Sequence, residues 1–271
     1  MQGTLAVQLY MVRDRLNTQK DAAETLKKIR ESGCDSVEMV GAYLDRKIDW
    51  KGLLSDAGLT CCSSHEPYPD MLGNFPEIIS RMHKLACHDV VIAMPSNVDF
   101  SQMDQVKQFA DELNHLGEQY KREGMRLHYH NHGMEFARPN DELCAYQYLA
   151  ENTDPTLLRF QPDIFWIQLG GASPEDWVRR LSGRMSTIHL KDFVIAGGTP
   201  AGQERLPVCT ELGRGNLPMG AIMETAHAAG VQTYILEVHD NWIGNDPLES
   251  VRICAERYRE LWRKHIDKGE D

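Results

Sequence analysis

Eight times along the chain a short β-type run is followed by an amphipathic helical one, and this repetition limits the fold more than any other feature. The β-type runs are "TLAVQLY", "DSVEMV", "LTCCSSH", "DVVIAM", "MRLHYHN", "LLRFQPD", "MSTIHLKD" and "VQTYILEVH". Helical patterns follow at residues 18–32, 49–57, 75–87, 102–123, 141–151, 174–182, 219–229 and 247–265. Strands separated by helices pair in parallel, because a parallel partner needs a long crossover connection. Gly33, Gly58, Gly124 and Gly230 each stand just before a strand, where a left-handed helix cap belongs. With no composition break or low-complexity linker between the eight units, the pattern predicts one closed (β/α)8 barrel spanning 1–271 rather than an open doubly wound sheet. The stretch from Phe193 to Pro218 reads as a long loop, and its "AGGTPAG" matches no phosphate-binding motif.

Forty Asp and Glu against 29 Lys and Arg give a net charge of -11, a field that repels polyanions and argues against nucleic acid as a partner. The amino terminus has neither a signal-peptide pattern nor an apolar run long enough to span a bilayer, so a cytoplasmic protein with no membrane partner is expected. A homo-oligomer is compatible with the composition. Seven cysteines, an odd number without a C-x-x-C pair, read as reduced thiols that pack as small hydrophobes.

In a parallel barrel the chemistry gathers at the carboxyl ends of the strands. Here those ends are polar: Glu38; His65 and Glu66; His130, Asn131 and His132; Asp163; His189, Lys191 and Asp192; and Glu237 with His239. Alternation along strand five puts His128 and His130 on one side, with His130 at the rim, His128 deeper as a packing residue, and His132 already in the loop. His130, Asp163, His189 and Glu237 come one each from four neighbouring strands, which suits a single divalent ion. Two neutral imidazoles and two carboxylates cancel its charge, and mixed N and O donors favour Mn, Co, Fe or Zn over Ca and Mg. The plain alternative is a set of hydrogen-bonded polar residues lining a metal-free sugar pocket.

At these residues the chain resembles the xylose-isomerase-like TIM barrels known as sugar phosphate isomerases/epimerases. The segments that carry the resemblance are "VQLYMVRD", "SVEMVGAY", "YHNHGMEF", "DIFWIQLGGASPEDWV", "RMSTIHLKD", "ELGRGNLPM" and "GVQTYILEV", in family order over essentially the whole chain. The resemblance implies a metal held by a Glu, an Asp, a His and a Glu on strands five to eight. The last three fall on Asp163, His189 and Glu237, whereas the strand-five position is His130, as in the "YHNH…EF" branch. The family uses its two glutamates as a pair for proton transfer, so this departure shifts the base toward His132 or Glu135, with Glu237 and Lys191 as further catalytic candidates. Glu38, His65, Trp166 and His239 are expected to hold substrate.

The expected activity is therefore metal-dependent isomerisation or epimerisation of a sugar or keto-sugar, by proton removal α to a polarised carbonyl. Elimination or deglycosylation of a keto-sugar or keto-cyclitol is the second reading, and a metal-free sugar-binding protein the third. DNA repair on the same fold would need more metal ligands at the strand ends and a basic groove, which this sequence lacks.

Overall fold

The computed structural model describes residues 2–44, 47–195 and 206–267. Eight parallel strands form one sheet: β1 (Thr4–Gln8), β2 (Ser36–Val40), β3 (Thr60–Glu66), β4 (Asp89–Ile92), β5 (Arg126–His130), β6 (Leu158–Gln161), β7 (Thr187–Leu190) and β10 (Thr233–Leu236). Their order is β6-β5-β4-β3-β2-β1-β10-β7. The sheet closes on itself between its end strands through a parallel bridge from Asp163 to His189, the bond from the His189 amide to the Pro162 carbonyl (2.9 Å), and that from Phe160 to Arg184 (2.8 Å). This is the expected TIM barrel.

The helices lie close to where the hydrophobic spacing places them, as at Gln19–Glu31, Met103–Arg122 and Pro247–His265. The four glycines preceding strands all have positive φ, between 68° and 89°, a conformation that glycine adopts without steric cost. One helix begins later than the pattern suggests, at Ala145 rather than near residue 141. The Asn140 side-chain oxygen accepts the amides of Glu142 and Leu143, and this local turn replaces the first helical hydrogen bonds.

Residues 193–218 are not one irregular loop. "DFVI" and "PVCT" pair as an antiparallel hairpin, β8 (Asp192–Ile195) with β9 (Pro207–Thr210), while the "AGGTPAG" segment lies outside the described residues. The "GRGNL" turn that follows wraps a carboxylate of the chain itself: Asp192 accepts the amides of Phe193, Gly213, Gly215 and Leu217. Among the described residues no helix is long and apolar enough to cross a membrane.

Alternation splits every barrel strand into two faces. Leu5, Val7, Val37, Met39, Val90, Ile92, Leu127, Tyr129, Leu158, Phe160, Ile188, Leu190, Tyr234 and Leu236 join the buried core shared with the helices. The other face fills the lumen, and it is unusually polar: Gln8, Glu38, Ser63, Gln161 and Thr187 are all buried there. Bulky aliphatic layers are the usual filling of such a lumen. Here hydrogen bonds crossing it take over, as where Gln161 on β6 donates to Glu38 on β2 at 2.6 Å.

Close packing outside the barrel makes one glycine decisive. A Cβ on Gly117, in the helix Met103–Arg122, would stand 2.7 Å from the Leu157 carbonyl oxygen and 2.9 Å from its Cβ. Backbone cannot give way as a flexible side chain can, so Gly117→Ala is expected to lower stability by ~1–3 kcal/mol. Urea unfolding of the variant checks this.

Candidate functional site

The carboxyl ends of β5, β6, β7 and β10 bring His130, Asp163, His189 and Glu237 together. One ligand-type atom from each lies within 4.8 Å of all the others, and all four residues are buried. Donor atoms around a single ion at ~2.1 Å stand ~3–4 Å apart, so a small contraction turns this cluster into a coordination shell.

Asp163 is aimed by its backbone role. It is the N-cap of the helix Ile164–Leu169, and its Oδ1 accepts the amides of Phe165 (2.9 Å) and Trp166 (3.2 Å). Its own amide donates to Asn131 Oδ1 at 3.0 Å, which ties the end of β6 to the end of β5. Oδ2 is left buried with no hydrogen-bond partner, 4.0 Å from His130 Nε2. A buried carboxylate oxygen without a partner is costly unless a cation completes it. His130 fits that need: burial, together with nearby His189 and His65, holds its pKa well below the usual imidazole range, so a nitrogen lone pair is free.

His189 is gripped from behind. Its Nε2 lies 2.7 Å from Glu38 Oε2, which leaves Nδ1 facing Glu237 Oε2 at 2.8 Å. Burial opposes a charge on this ring, yet Glu38 and Glu237 outweigh it and push the pKa up to about 10. Glu38 itself is fully buried, and despite that burial His65 and His189 hold its carboxyl well below the ordinary value. Gln8 Nε2 (2.7 Å), Ser63 Oγ (2.6 Å) and Gln161 Nε2 (2.6 Å) also donate to it. A carboxylate behind a histidine is the usual device for orienting a metal-binding imidazole. Glu38, expected as a pocket-wall residue, therefore stands one layer behind the site. Gln8 and Gln161 were open to the same strand-end reading and were missed because amides carry no charge pattern to flag them.

Above the cluster opens a cavity of about 310 Å³, lined by Gln8, Tyr10, Val40, His65, Glu66, Pro67, Ala93, Met94, His130, His132, Glu237 and His239. His65, His132 and His239 thus face the space where a substrate would sit. His132 bears on Trp166, with ring centroids 5.2 Å apart, and burial pushes its pKa down to about 4, so it is neutral near pH 7. Trp166 and Lys191 are not on the cavity wall. Lys191 is fully buried, with Nζ 4.9 Å from the Trp166 ring centroid, 2.9 Å from the His239 ring nitrogens, 3.9 Å from Glu237 Oε2 and 4.0 Å from Asp163 Oδ2. It is the internal counter-charge of the two carboxylates.

Glu135 is also away from the cavity. The Tyr129 hydroxyl donates to its Oε1 (2.7 Å) and the His132 amide to its Oε2 (2.9 Å), so the side chain folds back and fixes the loop that carries His132. The role in proton transfer expected from the sequence does not suit a carboxylate with both oxygens engaged and no opening to the cavity. His128 lies at the opposite end of the barrel, with Nε2 2.7 Å from Asp89 Oδ1, as a packing residue would.

A profile described as "Xylose isomerase-like TIM barrel" matches residues 26–261. The chain belongs to that family. A 90-residue stretch is 32% identical to inosose dehydratase from Clostridium tetani (strain Massachusetts / E88), covering 33% of this chain and 29% of that protein's length. A solved sugar phosphate isomerase/epimerase from Parabacteroides distasonis ATCC 8503 superimposes with a TM-score of 0.76 at 21% identity, over 94% of this chain and 97% of that one. The probable 3-DHS dehydratase AsbF of Bacillus anthracis gives 0.71 at 13%, over 99% and 100%. Both structural likenesses show the shared fold.

Burial pushes the Glu135 carboxyl up to about 7 from an ordinary 4.5, against the lowering pull of its hydrogen bonds. The folded state therefore keeps a proton that the unfolded chain releases above pH 4.5. Stability should fall as pH rises from about 4.5 to about 7, by ~3 kcal/mol at most from this group, and then level off. Glu135→Gln, whose side-chain oxygen can accept from the His132 amide while its NH2 donates to the Tyr129 hydroxyl oxygen, should flatten that segment of a stability–pH profile.

Proposed function

We propose that the protein is an enzyme that holds one divalent ion, Mn, Co, Zn or Fe, on His130, Asp163, His189 and Glu237. It removes the proton α to the carbonyl of a sugar or keto-sugar, and loss of a β-hydroxyl or β-linked group is the outcome its geometry supports best. The observation that carries this reading is an unequal pair of imidazoles lining the cavity: His132, which is neutral, and His239, 2.5 Å from Glu237 Oε1 and in contact with Lys191. The donor set fits an ion because Asp163 Oδ2 is buried without a hydrogen-bond partner and His130 is neutral. A bound divalent ion supplies Lewis acidity to the carbonyl oxygen as negative charge develops there.

The residues divide the remaining work. His132 takes the α-proton on a ring nitrogen, and the imidazolium so formed faces the negative charge of Glu237, whose attraction already acts on that ring. The electron pair from the broken C–H bond forms the new double bond and expels the β-oxygen. His239 gives that oxygen a proton, and the cycle closes when His132 releases the abstracted proton to solvent and the part-exposed His239 takes one up from it. A two-carboxylate exchange, the mechanism that the resemblance associates with epimerisation, has only Glu237 to work with, since the strand-five position carries His130. Dehydratases among the similar proteins support the same direction. Isomerisation or epimerisation is the second reading, favoured by His132 and Glu237 both lining the one cavity, where either could return the proton.

Two measurements test this. Elemental analysis of protein purified without chelator should find close to one transition-metal ion per chain, retained in His130→Glu, reduced in His130→Ala and lost in His189→Ala. Less than ~0.1 equivalent, with no activation by added Mn, Co or Zn, would point instead to a metal-free sugar-binding protein. In D2O, a true keto-sugar substrate should lose its α-proton together with the β-substituent. His132→Ala should slow that step by ~10²–10⁴-fold with metal content unchanged, and Glu135→Gln should leave it near wild type. Deuterium incorporation without elimination would establish the isomerase or epimerase reading.

A further inference from the structure

The cavity has two chemically different halves. The β5–β10 side carries His130, His132, Glu237 and His239, whereas the β1–β4 side presents Tyr10, Val40, Pro67, Ala93 and Met94. Two of the latter are large apolar groups left open to solvent, Tyr10 at 40% and Met94 at 52% relative exposure. The polar residues on that side are already engaged: Gln8 with Glu38 at 2.7 Å, His65 with Gln161 at 2.8 Å, and Glu66 with Arg81 at 2.5 Å. Among the described residues no lysine or arginine lines the cavity. Lys191 is sealed beside the Trp166 ring, and Arg13 is fixed by the carbonyls of Tyr10 and His239 and by the Tyr10 ring face.

We infer that the β1–β4 wall is a subsite for an uncharged apolar substituent, an aryl group above all, carried by the same substrate molecule whose sugar ring lies over the donor cluster. The inference rests on the functional reading above for the sugar ring but not on which reaction follows. Both halves belong to one chamber at the low end of the ~300–1,000 Å³ typical of small-molecule sites, so ring and substituent fill it together. An aromatic ring set against Met94 and the edge of Tyr10 gains burial of apolar area and favourable sulfur and edge contacts. A phosphate gains neither, and no lysine or arginine on the described wall is there to pair with it.

Inert probes keep binding separate from turnover. Phenyl β-D-glucopyranoside, methyl β-D-glucopyranoside and glucose 6-phosphate are titrated into the Zn-loaded protein and followed by ligand-observed NMR. The phenyl glucoside should bind on the order of 10–100-fold more tightly than the methyl glucoside, the range expected from burying an aromatic ring. In Met94→Ser and in Tyr10→Ala the phenyl-to-methyl ratio should fall toward one. Equal affinities for the two glucosides, tighter binding of the 6-phosphate, a ratio unmoved by both substitutions, or no binding of any probe would each overturn the subsite. A phenyl preference in a protein that shows no α-proton exchange would leave the subsite standing and remove the enzymatic reading instead.

Discussion

The hydrogen bond between Glu38 and His189 is the interaction on which the rest of the site depends. It places a negative charge in the lumen of a closed barrel, where an unsupported carboxylate would be prohibitive. The surrounding sequence is shaped around that charge: Gln8, Ser63 and Gln161 each direct a donor at it from a different strand. The polar lumen follows from this, since the space that aliphatic layers would occupy is taken by the donors of one anion. In return His189 has no freedom to turn, and its Nδ1 is held toward Glu237 before any ligand arrives. Such preorganisation is what a site needs if little reorganisation is to accompany binding.

Much of this was legible from the sequence because it follows from periodicity. The alternation of strands and helices determines the barrel, and the rule that strands end at the working face selects His130, Asp163, His189 and Glu237 from forty acidic residues and eleven histidines. What stayed hidden depends on depth and direction. Glu38 is one residue past a register shift between Val37 and Glu38, and no pattern in the sequence tells that its carboxyl stops one layer short of the cavity. Glu135 looks like a catalytic neighbour of His132 because the spacing is short, yet that same short spacing lets it close a turn onto the His132 amide. Lys191 and Trp166 occupy strand-end and post-strand positions that could face either way; the six-residue helix after Asp163 carries Trp166 off the cavity wall and sets the Phe165 and Trp166 rings against Lys191.

Electrostatics ranks the groups by task more sharply than identity does. Three imidazoles within a few ångströms of one another, His130, His132 and His189, have divergent proton affinities. Two are pushed down by burial and by their neighbours. The third is pulled up by the two carboxylates on either side of it. A single residue type thus provides two rings that stay neutral and one whose proton affinity is raised between carboxylates, and the differences come from what each packs against rather than from the strand it occupies.

The closure of the barrel has a mechanical consequence. The ring of strands is completed between β6 and β7 by a lone bridge and a few backbone bonds, and that bridge joins Asp163 to His189. His130 and Asp163 therefore belong to one lip of the seam, His189 and Glu237 to the other. Parting the lips divides the quartet into two pairs, neither of which is a site. In this chain the closure of the scaffold and the assembly of the His130, Asp163, His189 and Glu237 cluster share one clasp, and a fluctuation that loosens the first disassembles the second.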